Sequence, residues 1–229
     1  MNNIESKYPL IVKFLNCFEQ GAPQFKHDAV DVLKDGVFPG SSARVAQVTI
    51  SYGLTQNSHL PEFLADYVAL KSKYSEAFRP YLSKIKVQGL GSDAKFISLL
   101  KAAAREDTKY TKLLEDYFYK YYFSRGLAWF TANGFKTPLG LAITEDSFLH
   151  SGGMLDFLRA KFPAVPKNGD EIYFKQYITV RRDWLKNHSD HTLRKLWTRP
   201  QFYLDLVNKG DWNLSSGAYY PNSVKVLNV

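Results

Sequence analysis

From Leu60 to Val207 the apolar residues of this chain recur at helical spacing in one segment after another. Before them stands a single β-branched stretch, Val45, Val48 and Ile50, ending at Gly53. That pattern predicts a mainly α fold of the α+β kind, with one small β element. Helices are expected over Asn3–Glu19, Pro61–Arg79, Asp93–Ala103, Thr108–Phe130, Pro138–Gly152, Glu171–Asn187 and His191–Val207. Gly21 and Pro23 stop the first of these, and Pro80 and Gly134 stop two others. Asp35-Gly36 and Pro39-Gly40-Ser41-Ser42 read as turns, and Ala29–Lys34 as an ordered piece of either type. There are no internal repeats and no low-complexity linker. The expected division is one domain over 1–229, with a smaller lobe carrying the β element over about 20–59 and a larger helical lobe over about 60–229.

At 229 residues the chain can bury a substantial core. Thirty basic against 22 acidic residues leave a net charge of +8, which favours anionic partners. No basic run or binding motif accompanies that charge, so no nucleic acid is expected as a partner. Cys17 is the only cysteine, which excludes an intrachain disulfide, and its neighbours Leu15 and Phe18 mark it as a buried thiol. The five histidines give no metal-ligand spacing: His188 and His191 are three apart with no third ligand. Gly89-Leu90-Gly91 lacks the context of a phosphate loop. No cofactor and no metal are therefore expected. The N-terminus shows no signal peptide, and no apolar run is long enough to span a bilayer. A monomer that acts in a secreted or periplasmic setting is expected.

The chemistry-bearing residues lie early. Glu19 ends the first helix, Asp35 lies in the following loop region, and Thr49 begins a Thr-Ile-x-x-Gly segment. This order resembles the lysozyme-like way of cutting a polysaccharide, in which one carboxyl protonates the leaving oxygen and a second serves the water. Leu15, Phe18 and Phe25 are placed to make a partly apolar pocket around Glu19. Tyr52, Asn57 and His59 follow as candidate substrate-binding side chains.

The second half carries a more specific resemblance. Pro138-Leu139-Gly140-Leu141-Ala142 followed by Glu145-Asp146-Ser147-Phe148-Leu149-His150-Ser151-Gly152 resembles the central helix of glycoside hydrolase family 46, the chitosanases. Gly169-Asp170-Glu171 with Tyr173, then Arg181-Arg182-Asp183-Trp184, is similar to the family's next two segments. Arg199, Phe202, Asp205, Leu206 and Gly210-Asp211-Trp212-Asn213-Leu214 resemble its closing region. The resemblance implies a lysozyme-like two-lobed helical fold with a small β element beside the cleft. It also implies an inverting endo-glycosidase with Glu19 as general acid and Thr49 helping to hold the water. Asp146, Arg182 and Arg199 match a buried charge network supporting the site, with Arg181 able to exchange roles with Arg182.

Two departures from the family pattern stand out. No acid lies among Arg44–Val48, so the general base falls to Asp35, with Asp31 next, or is replaced or missing. After Gly53, where the family has an aspartate for the substrate amino group, this chain has Thr55-Gln56-Asn57-Ser58-His59. The implied substrate is a β-1,4-linked amino-sugar polymer, chitosan first and peptidoglycan second. A glycan-binding protein without activity is the reading from another class.

Overall fold

The computed structural model describes residues 4–228, with the side chain of Tyr52 outside the described part. In chain order the elements are α1 (Tyr8–Gln20), β1 (Val30–Val37), β2 (Arg44–Ile50), β3 (Leu54–Thr55), α2 (Leu60–Ala69), α3 (Ser75–Phe78), α4 (Ala94–Glu106), α5 (Thr108–Phe118), α6 (Ser124–Ala132), α7 (Pro138–Ser151), α8 (Asp156–Arg159), α9 (Asp170–Lys186), α10 (His191–Arg194), α11 (Thr198–Asn208), β4 (Ala218–Tyr219) and β5 (Val226–Leu227). The fold is thus mainly helical with a small antiparallel sheet, as the patterning predicts. The chain divides into two compact units, residues 26–119 and residues 1–25 with 120–229. The boundary expected near residue 60 differs from this, because α2 to α5 belong to the unit that holds the sheet.

In the 26–119 unit, β1, β2 and β3 pair antiparallel in that order. Asp31 lies opposite Thr49 and Leu33 opposite Gln47; the register then shifts, so that Gly36 lies opposite Val45. Lys34 and Asp35 therefore face the single residue Ala46, which is a β-bulge. This bulge breaks the alternation of β1 in the sequence, and Asp35-Gly36 is part of a strand rather than a turn. Val48, Ile50 and Leu54 are buried with Phe63, Leu64 and Tyr67 of α2 and with Phe96, Leu100, Tyr110 and Leu114 of α4 and α5. Gly89 and Gly91 lie on β2: a Cβ on Gly91 would sit 2.7 Å from the Val32 side chain and from the Ala46 backbone.

The helix expected over 61–79 ends early, at Ala69. Lys71 takes a left-handed conformation (φ 47°). The chain that follows is held by Asp107 Oδ2, which accepts from the Lys73 N–H at 3.1 Å and the Tyr67 hydroxyl at 2.5 Å. The same carboxylate caps α5 through the Lys109 N–H. The long helix expected over 108–130 is also divided: Tyr119–Phe123 forms a π-helical turn between α5 and α6, and the unit boundary falls within it. The last expected helix, 191–207, is made of α10, a 3-10 turn at Lys195–Trp197 and α11.

In the other unit α7 is the central element. Every residue from Pro138 to Ser147 is buried, so over that stretch α7 has no solvent face. It packs against α1, α6, α9 and α11. Its start is fixed by Thr137, whose hydroxyl accepts from the Gly140 N–H, and its end by Gly152 at φ 76°. A helix buried on all sides exposes none of its polar side chains to bulk water, so Thr144, Glu145, Asp146 and Ser147 must find partners inside. That requirement builds the site below.

Candidate active site

Glu19 stands on the last turn of α1, just before Gly21 (φ 67°) ends the helix. Its Oε1 accepts a hydrogen bond from Arg199 Nη1 at 2.6 Å, and its side chain is 32% exposed. Arg199, on the first turn of α11, is buried and also donates from Nε to Asp146 Oδ1 at 2.5 Å. The other Asp146 oxygen, Oδ2, accepts from Arg181 Nη1 at 2.6 Å. The Phe18 ring lies 5.2 Å from the Arg199 guanidinium, and Leu15 is buried on the same helix. The result is a chain of alternating charge: Glu19, Arg199, Asp146, Arg181.

Asp146 and Arg181 are fully buried. Burial alone would raise the Asp146 pKa, but the charges of Arg199 and Arg181 and their hydrogen bonds outweigh it and hold the pKa below the ordinary value. Asp146 is thus ionised and acts as the common anchor for two guanidinium groups. His150, one turn further along α7, receives Arg181 Nη2 on Nδ1 at 3.3 Å. Burial first, then the two arginines, push its pKa down to about 4, so the ring is neutral and accepts.

The guanidinium that reaches Asp146 belongs to Arg181. Arg182 points elsewhere and pairs with its neighbour Asp183 at 2.6 Å. One residue on a helix is a rotation of about 100°, so only one of two adjacent arginines can face α7.

The remaining predicted residues lie in the 26–119 unit. Residues directly opposite in an antiparallel pair share a face, as do residues two apart on a strand. Asp31, Leu33, Val45, Gln47 and Thr49 therefore occupy one face of the sheet, and Thr55, opposite Thr49, joins them. Val32, Ala46, Val48 and Ile50 occupy the other face. Asp31 and Asp35 are both exposed; Asp31 is paired with Thr49, whereas Asp35 lies in the bulge. Thr49 Oγ1 is buried and has no hydrogen-bond partner among the described residues. Tyr52 has its backbone in the 3-10 turn Ser51–Gly53, and its side chain lies outside the described residues. Asn57 donates to the Val37 carbonyl at 3.2 Å and accepts from the Thr55 hydroxyl. With Glu62 and Lys86 it lines a hollow of about 600 Å³. His59 immediately precedes α2, with Nδ1 3.9 Å from Glu62 Oε2.

Two residues escaped the sequence reading. Gln47 is fully buried, and neither its Oε1 nor its Nε2 has a partner among the described residues. Glu145 is buried beside Gly126, and burial raises its pKa to about 9, against the opposing effect of a hydrogen bond from the Leu127 backbone. The available signal was positional: a glutamine inside a β-branched strand, and a glutamate inside a helix that is buried all round. Among the described residues no group of His, Cys, Asp and Glu side chains is arranged to hold a metal, and no helix is long and apolar enough to cross a membrane.

Comparison with solved structures places this fold. The chain matches a family 46 chitosanase of Gynuella sunshinyii, solved in complex with chitotetraose, with a TM-score of 0.73 and 16% identity over 98% of both chains. It matches the native chitosanase of Bacillus subtilis MY002 with a TM-score of 0.70 and 18% identity over 100% of both chains. A glutamate-to-alanine mutant of that Bacillus chitosanase, complexed with 6 GlcN, gives a TM-score of 0.70 at 17% identity over 99% of both chains. No family model and no curated protein matches the sequence. The fold is that of the family 46 chitosanases.

Proposed function

We propose that this chain, which has the fold of the family 46 chitosanases, is an endo-acting, inverting glycoside hydrolase of β-1,4-linked amino-sugar polymers, with chitosan as first substrate. The observation that carries this reading is the chain Glu19–Arg199–Asp146–Arg181, a solvent-reachable carboxyl held by a buried arginine. In the proposed reaction Glu19 gives its proton to the glycosidic oxygen as the bond from the anomeric carbon to that oxygen breaks. Water adds to the anomeric carbon from the opposite face and loses a proton to the base, so the product is inverted. Arg199, anchored on Asp146, fixes the direction of the Glu19 carboxyl. Asp35 is the proposed base, since bulges are a common means of re-aiming a side chain beside an active site. Asp31 is the alternative, and it has Thr49 directly across the strand pair. Thr49 is the proposed partner of the attacking water, since its hydroxyl is committed to no other group among the described residues. Asn57, His59 and Tyr52 are proposed to contact the sugar. A polymeric substrate of this kind favours a monomer acting outside the cytoplasm.

A second substrate is supported by one specific observation. The net charge of +8 repels cationic chitosan and attracts an acidic wall polymer, which favours peptidoglycan. Reducing-end release from chitosan and from purified peptidoglycan, measured for wild type, Glu19→Gln, Asp35→Asn and Asp31→Asn, tests both. Glu19→Gln is expected to lower the rate by about 10²–10⁴-fold, and Asp35→Asn similarly. Loss with Asp31→Asn alone would move the base to Asp31. Binding of either polymer without cleavage by wild type would establish the inactive glycan-binding reading instead.

A further inference from the structure

We infer that the hollow beside Asn57 is a sugar pocket that selects an N-acetylated residue over one with a free amine. This rests on the amino-sugar reading above and deepens it. The hollow, of about 600 Å³, is lined from the 26–119 unit. Part of its lining is apolar: Phe38 and Pro39 beyond β1, Ala65 of α2, and Leu82. The rest is polar. Gln56 is buried there, with Oε1 accepting from the Val48 and Leu90 N–H groups at 2.8 and 2.9 Å. Its Nε2 donates to the Ile85 and Gln88 carbonyls at 3.1 and 2.9 Å, so that amide is fully used within the protein.

Asn57, the next residue, is exposed and only half used. Its Nδ2 donates to the Val37 carbonyl at 3.2 Å and its Oδ1 accepts from the Thr55 hydroxyl, which sets the two ends of the amide. A carboxamide has two N–H donors and an oxygen with two lone pairs, so one donor and one acceptor site remain. An acetamido group presents a carbonyl oxygen and an N–H, the complement of that remaining pair. Its methyl suits the apolar lining, where burial is favourable. Charge argues the same way. Glu62 and Lys86 bring one charge of each sign to the hollow, so there is no negative excess to hold an ammonium group. A free amino sugar would give up hydration there without a net counter-charge, whereas an N-acetylated residue brings no charge. The selected unit is one that peptidoglycan and partly acetylated chitosan both contain.

Binding is measured calorimetrically on the Glu19→Gln protein, with the tetramer of N-acetylglucosamine and with that of glucosamine in its protonated form. The N-acetylated tetramer is expected to bind about tenfold more tightly. Asn57→Asp in the same background adds a negative charge and is expected to reverse that preference, and Asn57→Ala to abolish it. Asn57 is exposed, so both variants are expected to keep the wild-type fold, checked by thermal midpoint. A readout independent of affinity is the Asn57 side-chain amide signal in an NMR titration, identified by its absence from Asn57→Asp. It is expected to move on addition of the N-acetylated tetramer. Equal affinity for the two tetramers, a preference unchanged in both variants, or an unmoved amide signal overturns the inference. Cleavage of chitosan or peptidoglycan by wild type then leaves the hydrolase reading intact. A wild type that cleaves neither overturns the hydrolase reading instead, and selective binding at Asn57 would stand as the recognition of a glycan-binding protein.

Discussion

Arg181 and Arg182 are adjacent and identical in chemistry, yet they meet opposite environments. Arg181 is fully buried on Asp146, while Arg182 pairs with Asp183, whose side chain is 52% exposed. Removing one partner of a buried pair leaves an uncompensated charge and costs about 3–5 kcal/mol, whereas an exposed pair contributes about 0–1 kcal/mol. Arg181→Ala is therefore expected to lower stability by about 3–5 kcal/mol, and Arg182→Ala by less than about 1 kcal/mol, as measured by denaturant midpoint. Equal effects would refute the assignment of the network. The resemblance set Asp146 and Arg199 in one network through the order of blocks that are each loose alone, and the two side chains are hydrogen-bonded. It left the arginine open because helical phase to within one residue depends on the surroundings of the whole helix. Gln47 was illegible for a different reason: a polar residue in a strand ordinarily faces water, and only the fold shows this one to be enclosed.

At the scale of elements, β1 shows where patterning fails. A bulge adds a residue and shifts the side-chain alternation, so Val30–Val37 does not read as one strand although it pairs as one. α2 and α5 fail differently: the apolar periodicity continues past the end of each helix, but α2 ends where Lys71 turns left-handed and Asp107 holds the chain that follows, and α5 ends at the π-helical turn Tyr119–Phe123. Gly36 in the bulge gives the element-scale prediction. Its φ is not in the left-handed region, so Gly36→Ala strains no backbone, and the effect is one of space alone. With Gln47 fully buried and 2.5 Å from the added methyl, the pair is overpacked, and a loss of about 1–3 kcal/mol is expected. Gly36→Ala combined with Gln47→Ala should recover most of that loss, since the clash is then removed. A double variant no more stable than Gly36→Ala alone would show that the glycine is needed for another reason.

For the molecule as a whole, the pH dependence of stability rests on few groups. Among the described residues with displaced pKa values, only Glu145 and His150 change charge between about pH 4.5 and 9: the lowered carboxyls act below this range, and Cys17, with a pKa pushed up to about 11 by burial, acts above it, as do the tyrosines. Glu145 is protonated in the folded state up to about pH 9, whereas in the unfolded chain it ionises near its ordinary value of 4.5. Between those values only the folded state carries the proton, so each unit rise in pH lowers stability by roughly 1.4 kcal/mol. His150 acts in the opposite sense. Its folded pKa of about 4 lies below the ordinary 6.5, so the unfolded chain takes up the proton first as pH falls, and acidification from 6.5 to 4 drains stability. The two slopes oppose each other from about pH 4.5 to 6.5, and only the Glu145 slope remains above. The thermal midpoint of wild type should thus be nearly level from about pH 4.5 to 6.5 and decline from there toward 9. Glu145→Gln abolishes the decline without a large change of volume: its midpoint should rise from pH 4.5 to 6.5, stay level above, and exceed wild type by a margin that grows with pH. A margin independent of pH would mean that Glu145 is ionised in the folded state, and α7 would then have to supply a counter-charge that its burial shows no sign of.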